Sequence, residues 1–198
     1  WVVTSLVGNA DNEIEELGTT LDTLYQQHRE LFGTTDDLLP VKVMIIASED
    51  NLSVQVHPND ELAEEEHGLR GKTEMWYVVQ ADEKAHLMSG LTREITPEEY
   101  AAKVEDNTIT EVLHDYNVAA GDVFFLPAGR IHSIGTGCFI AEIQQTSDIT
   151  YRIYDFGRVG LDGKPRELHT ELSKAAIDYT VLEDYKTAYE DVKNEENE

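Results

Sequence analysis

The sequence predicts a mainly β fold, a sandwich or barrel, with helices confined to its margins. Two observations predict it. From Val41 onward, short runs rich in β-branched and aromatic residues (VKVMIIAS, LSVQVH, EMWYVVQ, DVFFLPAG and CFIAEIQQ) follow one another between acidic, Gly or Pro punctuation. Helical spacing, by contrast, is limited to three short stretches. At 198 residues the chain has room for one domain with a real core, or one domain plus trailing pieces.

Taken in order, the opening WVVTSLVGNADNEIEE is mildly apolar but lacks a basic leader and a small-residue cleavage site, so it is not read as a signal peptide. In TTLDTLYQQHRELFG, residues Leu21, Leu24, Tyr25, His28 and Leu31 fall on one helical stripe, with Thr20 as cap and Gly33 as stop. A packing helix is therefore expected near 20–32. Between the strand runs, PEEYAAKVED carries Pro97 at a first helical position and reads as a short surface helix inserted on the barrel. After YRIYDFGRVGLDGKPREL the pattern turns helical at RELHTELSKAAIDY, and the acidic end LEDYKTAYEDVKNEENE reads as a tail free to fray. The expected division is a barrel over 1–160 and a helical, acidic extension over 161–198.

Forty acidic residues against fifteen basic ones give a formal charge of -25. Such a surface repels phosphate backbones and anionic membranes, which argues against a nucleic-acid partner. No apolar run approaches the roughly 18–20 residues that cross a bilayer. The single Cys138 cannot close an internal disulfide and sits in an apolar run, as expected of a small buried hydrophobe in a reducing, cytoplasmic setting.

Against that acidic background the residues that carry chemistry are few. Gln55 and His57, two apart in LSVQVH, point to one face of a strand together with Ser53. In GKTEMWYVV, Lys72, Glu74 and Trp76 share a face, and Thr73, Met75 and Tyr77 take the other. A Lys and a Glu entering a barrel interior together need compensation, which a divalent cation and an anionic substrate would supply; the alternative is an ion pair on a solvent-facing edge. GDVFFLPAGRIHSIGTG then places a Pro-Ala-Gly turn before His132, able to return an imidazole toward the barrel mouth. Gln55, His57, Glu74 and His132 make a mixed nitrogen and oxygen set suited to zinc, and also to Fe, Co or Mn. One carboxylate against a divalent ion leaves a positive site, able to polarise a carbonyl and stabilise the enediolate of an aldose–ketose interconversion. Arg152 and Arg158 flank a strand in QQTSDITYRIYDFGR and are candidates for anion recognition, unless they pair with Asp148 or Asp155. His28, His67, His86, His114 and His169 are expected to be structural or solvated.

Taken together and in this order, LSVQVHPND, GKTEMWYVV, GDVFFLPAGRIHSIGTG and EIQQTSDITYRIYDFGR resemble the type I mannose-6-phosphate isomerases in their short bacterial form. The resemblance runs across nearly the whole chain, and the Q-x-H-P pair, the K-T-E strand and the P-A-G-x-x-H turn carry it jointly. It implies a cupin-type jelly-roll barrel and the reversible interconversion of mannose 6-phosphate and fructose 6-phosphate with one zinc ion. It assigns the metal to Gln55, His57, Glu74 and His132, catalysis to Arg152 and Lys72, and the substrate phosphate to Ser53 and Arg158. A metal-bound water or Lys72 is the implied proton shuttle. The family also has a further N-terminal stretch and a second, smaller barrel beyond the helix near Ile177, which this sequence is not expected to contain. Two other readings stand beside it: a metal- and sugar-phosphate-binding cupin without turnover, and a different cupin enzyme, an oxygenase or the cupin-type glucose-6-phosphate isomerase, for which H-x-H would be expected where Gln55 stands.

Overall fold

The structure, a computed structural model, describes residues 2–4, 12–160 and 163–189. Its strands are β1 (Val2–Val3), β2 (Glu13–Ile14), β3 (Thr19–Thr20), β4 (Val41–Ala47), β5 (Val54–Val56), β6 (Glu74–Ala81), β7 (His86–Leu91), β8 (Leu113–Asn117), β9 (Val123–Leu126), β10 (His132–Ile134), β11 (Cys138–Gln145) and β12 (Tyr151–Tyr154). The helices are α1 (Leu21–Gln27), α2 (Asp60–His67), α3 (Pro97–Glu105) and α4 (Thr170–Ala176). Two five-stranded antiparallel sheets, ordered β1-β4-β11-β6-β9 and β12-β5-β10-β7-β8, pack face to face as the mainly β reading requires. All five strand runs read from the sequence are strands.

Two cores follow from strand alternation. Trp76, Phe124 and Ile140 of the first sheet meet Leu87 and Ile134 of the second in the interior. Outside the second sheet, Val54, Val56, Ile131 and Ile153 form another core with Tyr100 and Val104 of α3 and with Ile177. Strand β5 is therefore apolar toward the helices and polar toward the interior, because successive side chains alternate faces. Helix α3, capped by Thr96 with Pro97 in its first turn, is more than the surface insertion expected, since Tyr100 is fully buried beneath it.

Several expectations need correction. The stretch near 20–32 is not one helix: α1 ends at His28, and a 3-10 turn, Arg29–Phe32, follows and stops at Gly33. Only Tyr25 of the proposed stripe is buried, while Leu31 is 67% exposed, because the break at His28 rotates the second segment off the stripe. The late helix is shorter than its pattern, Thr170–Ala176. Helix α2 is not foreseen by the sequence reading. Its run DELAEEEH has one buried residue, Ala63, and is held by the Asn59 cap and the left-handed Gly68 rather than by an apolar stripe. Part of the acidic end does not fray. Tyr185 is 3% exposed, and its hydroxyl donates to the Leu91 carbonyl and accepts from the Leu91 amide. The rest of that end, 190–198, lies outside the described residues, as do residues 1 and 5–11 of the opening stretch.

Candidate metal centre

The interior polar residues come from both sheets. Across the second sheet, Arg152, Gln55 and His132 are in register on neighbouring strands β12, β5 and β10. Facing them on the first, Lys42, Gln144 and Glu74 form a matching row on β4, β11 and β6. In-register residues of antiparallel strands share a face with Cβ atoms about 4.5–5.5 Å apart.

Where the rows meet, His57, Glu74 and His132, all buried, bring one ligating atom each to within 4.8 Å of one another. His57 Nδ1 lies 2.8 Å from the Ile149 carbonyl and His132 Nδ1 lies 2.8 Å from the Arg130 carbonyl. A carbonyl only accepts, so in each neutral ring Nδ1 donates and Nε2 is left with its lone pair. Both lone pairs face the same carboxylate: His57 Nε2 is 3.3 Å from Glu74 Oε1, and His132 Nε2 is 3.5 Å from Glu74 Oε2. Among the described residues, His57 Nε2 and Glu74 Oε2 have no hydrogen-bond partner.

Electrostatics keep the three in that state. Burial, then the Lys72 charge, pushes His57 down. Burial alone is the chief cause that takes His132 down to about 3. For Glu74, burial acts upward, but neighbouring positive charge, which with neutral rings is that of the Lys72 ammonium 2.7 Å from Oε1, acts against it and holds the carboxyl below its ordinary value. Three acceptors with no proton among them, each oriented by a backbone carbonyl or a neighbouring ammonium, are what a divalent cation fits.

Gln55 adds a fourth group. Its Nε2 lies 3.3 Å from His132 Nε2, and its Oε1 lies 3.5 Å from the Ser53 hydroxyl. Turning the amide over would present the oxygen to the same point, as a ligand role demands. Lys72 Nζ is 2.7 Å from Glu74 Oε1 and nearly buried. It is fixed by the tight passage of Gly71 over the first turn of α2: a Cβ there would sit 2.4 Å from the Asn59 carbonyl carbon. The Lys72 amide donates to the Pro58 carbonyl at 3.0 Å. Gly129, at φ 87, lets the Pro-Ala-Gly turn close, and its amide donates to the His57 carbonyl at 2.9 Å.

The two arginines lie apart from this point. Arg152 starts in the row, but its Nη1 donates to the Glu167 carbonyl at 3.0 Å, and burial, followed by the charge of Arg166, lowers its pKa. Arg158 is paired with Asp155, Nη2 to Oδ1 at 2.6 Å, which is the pairing weighed from sequence. The remaining histidines stay outside the group: His67 bonds the Tyr151 hydroxyl, His86 pairs with Asp115, His169 accepts from the Arg152 amide, His114 stacks on Tyr116, and His28 is exposed beside Glu30.

A cleft of about 240 Å³ opens beside the centre, bordered by Gln55 and Lys72 and by three residues the sequence reading did not select, Lys42, Glu142 and Gln144. Glu142 is buried, accepts from the Trp76 indole at 2.9 Å, and is raised to about 7 by burial and then by the charge of Glu74. Lys42 Nζ meets Asp148 Oδ1 at 2.6 Å. The signal was present in the alternation of CFIAEIQQ and VKVMII, which puts Lys42, Glu142 and Gln144 on inward positions.

The family model described as phosphomannose isomerase type I, catalytic domain, matches residues 1–73. A mannose-6-phosphate isomerase from Bacillus subtilis is 40% identical over 174 residues, which is 87% of this chain and 55% of that protein. One from Streptococcus mutans is 44% identical over 160 residues, 79% of this chain and 49% of that protein. The chain thus spans about half the length of these relatives. Among solved structures, the Bacillus subtilis mannose 6-phosphate isomerase superposes with a TM-score of 0.79 at 33% identity, over 85% of this chain and 54% of that one. A mannosephosphate isomerase structure from Archaeoglobus fulgidus, 20% identical with a TM-score of 0.69 over 87% of this chain and 56% of that one, shares the fold.

Proposed function

We propose that this chain, a homologue of the type I mannose-6-phosphate isomerases, interconverts mannose 6-phosphate and fructose 6-phosphate at the His57–Glu74–His132 centre. The observation that carries the reading is the convergence of three proton-free acceptors beside a cleft bordered by two lysines, in a chain of charge -25. His57, Glu74, His132 and Gln55 would hold the metal, with zinc an ion suited to this mixed set of two nitrogens and two oxygens beside an open cleft. When bound, the ion supplies Lewis acidity, polarising the sugar carbonyl so that the neighbouring carbon gives up its proton.

The protein side of the chemistry follows from placement. Lys72, held on Glu74, offers a cation at the end of the cleft nearest the centre and orients the sugar oxygens. Glu142, a carboxyl poised near neutrality by its burial, is suited to move the proton between C1 and C2, since a shuttle works best with a pKa near the working pH. Arg152 is assigned to the developing enediolate charge, which requires its guanidinium to leave the Glu167 carbonyl. Ser53 and Arg158 are assigned to the substrate phosphate. Among the described residues no helix is long and apolar enough to cross a membrane, and the buried free thiol of Cys138 is compatible with a cytoplasmic protein.

The test is turnover of fructose 6-phosphate in heavy water, followed by NMR. Mannose 6-phosphate carrying deuterium at C2 supports proton transfer through an enediolate. Product without deuterium points to internal transfer, and metal binding without product leaves a sugar-phosphate-binding cupin.

A further inference from the structure

Of the fifteen basic residues, Lys42 and Lys72 border the cleft, Arg152 stands in the interior row, and Arg158 and Arg166 bind Asp155, the residue after β12. Three of them are arginines gathered around one carboxylate. Asp155 is 5% exposed and takes Nε and Nη2 from Arg158, with the Nη2 contact at 2.6 Å. It also takes Nε of Arg166 at 2.6 Å and the Arg166 Nη2 at still closer range. Arg166 is brought there by the return of the chain, bridged between Val159 and Pro165, with the Gly160 amide donating to the Lys164 carbonyl at 2.7 Å. Arg152 belongs to the same group: after burial, the charge acting most strongly on it is that of Arg166.

Two carboxylates, Asp155 and Glu167, act on these three guanidiniums, which leaves the group with a surplus of positive charge in an acidic molecule. The planar fork decides where that surplus points. With Nε and Nη2 of both residues committed to Asp155, the Nη1 edges of Arg158 and Arg166 are turned away from it, and their side chains remain 28% and 39% exposed. Two guanidinium edges held side by side are an arrangement suited to a phosphate monoester.

We propose that Arg166 is a second guanidinium of the substrate-phosphate site and that Asp155 is the residue that positions it beside Arg158. The inference rests on the sugar-phosphate reading above. It assigns a residue of the C-terminal extension to substrate binding, so that the extension completes a site opened by β12.

Titration of inorganic phosphate into the purified chain, by calorimetry, separates this inference from the isomerase reading, alongside KM and kcat for mannose 6-phosphate. Arg166→Gln is expected to weaken phosphate binding and raise KM by roughly tenfold or more while kcat stays within about twofold, the scale of one charge-assisted hydrogen bond. Asp155→Asn decides the positioning role. It adds net positive charge, so a mere charge drain would bind phosphate more tightly, whereas loss of positioning weakens binding. A chain that binds phosphate through Arg166 yet does not isomerise upholds the inference and sinks the isomerase reading. Unchanged phosphate affinity and KM in Arg166→Gln, or tighter phosphate binding in Asp155→Asn, would overturn it.

Discussion

Glu74 and His57 are held with a carboxylate oxygen 3.3 Å from a ring nitrogen, and with the ring neutral there is no proton between them. The Ile149 carbonyl takes the only ring proton on the other side, at 2.8 Å. Buried acceptors facing one another repel, so the arrangement is costly in the absence of a cation and is stabilised by one. Zinc is therefore expected to raise the thermal midpoint, by about 3 kcal/mol of stability when the ion is present at a hundredfold its dissociation constant. His57→Ala should abolish that gain and lower bound zinc well below one ion per chain, as read by calorimetric scanning and elemental analysis.

Glu142 should impose an unusual pH dependence on the metal-free chain. Its folded pKa, about 7, lies above the ordinary 4.5, so between those values the folded state binds more protons than the unfolded one. That stability is fully present below about pH 4.5 and is lost as the pH rises through 7. Glu142→Gln removes the buried charge and keeps an acceptor for the Trp76 indole. It is expected to be more stable than the parent at pH 8, on the order of 2–3 kcal/mol, with the gain shrinking toward pH 5. Urea unfolding at both pH values measures it. Activity in the same variant should fall by about a hundredfold or more, the usual scale of a lost proton shuttle.

Gly71 is close enough to the backbone at Asn59 and Asp60 that any side chain must push the two segments apart, with a Cβ only 2.4 Å from Asn59 C and 2.6 Å from Asp60 N. Gly71→Ala is expected to cost about 1–3 kcal/mol. It should also displace Lys72 from Glu74, so kcat should fall further than the loss of folded protein explains, which a comparison of activity with circular dichroism at one temperature resolves.

Strand positions were legible in the sequence because alternation and burial coincide there: Lys72, Glu74 and Trp76 turn inward, and Tyr77 and Val79 are exposed. The His57–Glu74–His132 group was legible for the same reason, since each member sits at an inward position beside a turn. Less was legible where stability comes from caps and tertiary contacts. Helix α2 depends on Asn59 and Gly68, the split at His28 has no periodic signature, and the inward positions of Glu142 and Lys42 in their strands do not by themselves tell a charge that lines the cleft from one that faces solvent.

Tyr185 shows the same limit and is directly testable. An acidic tail carries no apolar period, yet its hydroxyl satisfies both the amide and the carbonyl of Leu91, at 3.1 and 2.9 Å. Tyr185→Phe leaves both backbone groups without that partner and should cost about 1–3 kcal/mol, seen as a lower urea midpoint with unchanged slope.

The most direct measurement is isomerisation of mannose 6-phosphate in a coupled assay, on chain stripped by a chelator and then reloaded with zinc, with His57→Ala as the control. Expected is turnover that vanishes on stripping, returns with zinc and does not return in the variant. Turnover that survives complete stripping, or zinc-dependent turnover that persists in His57→Ala, would contradict a catalytic centre at His57, Glu74 and His132.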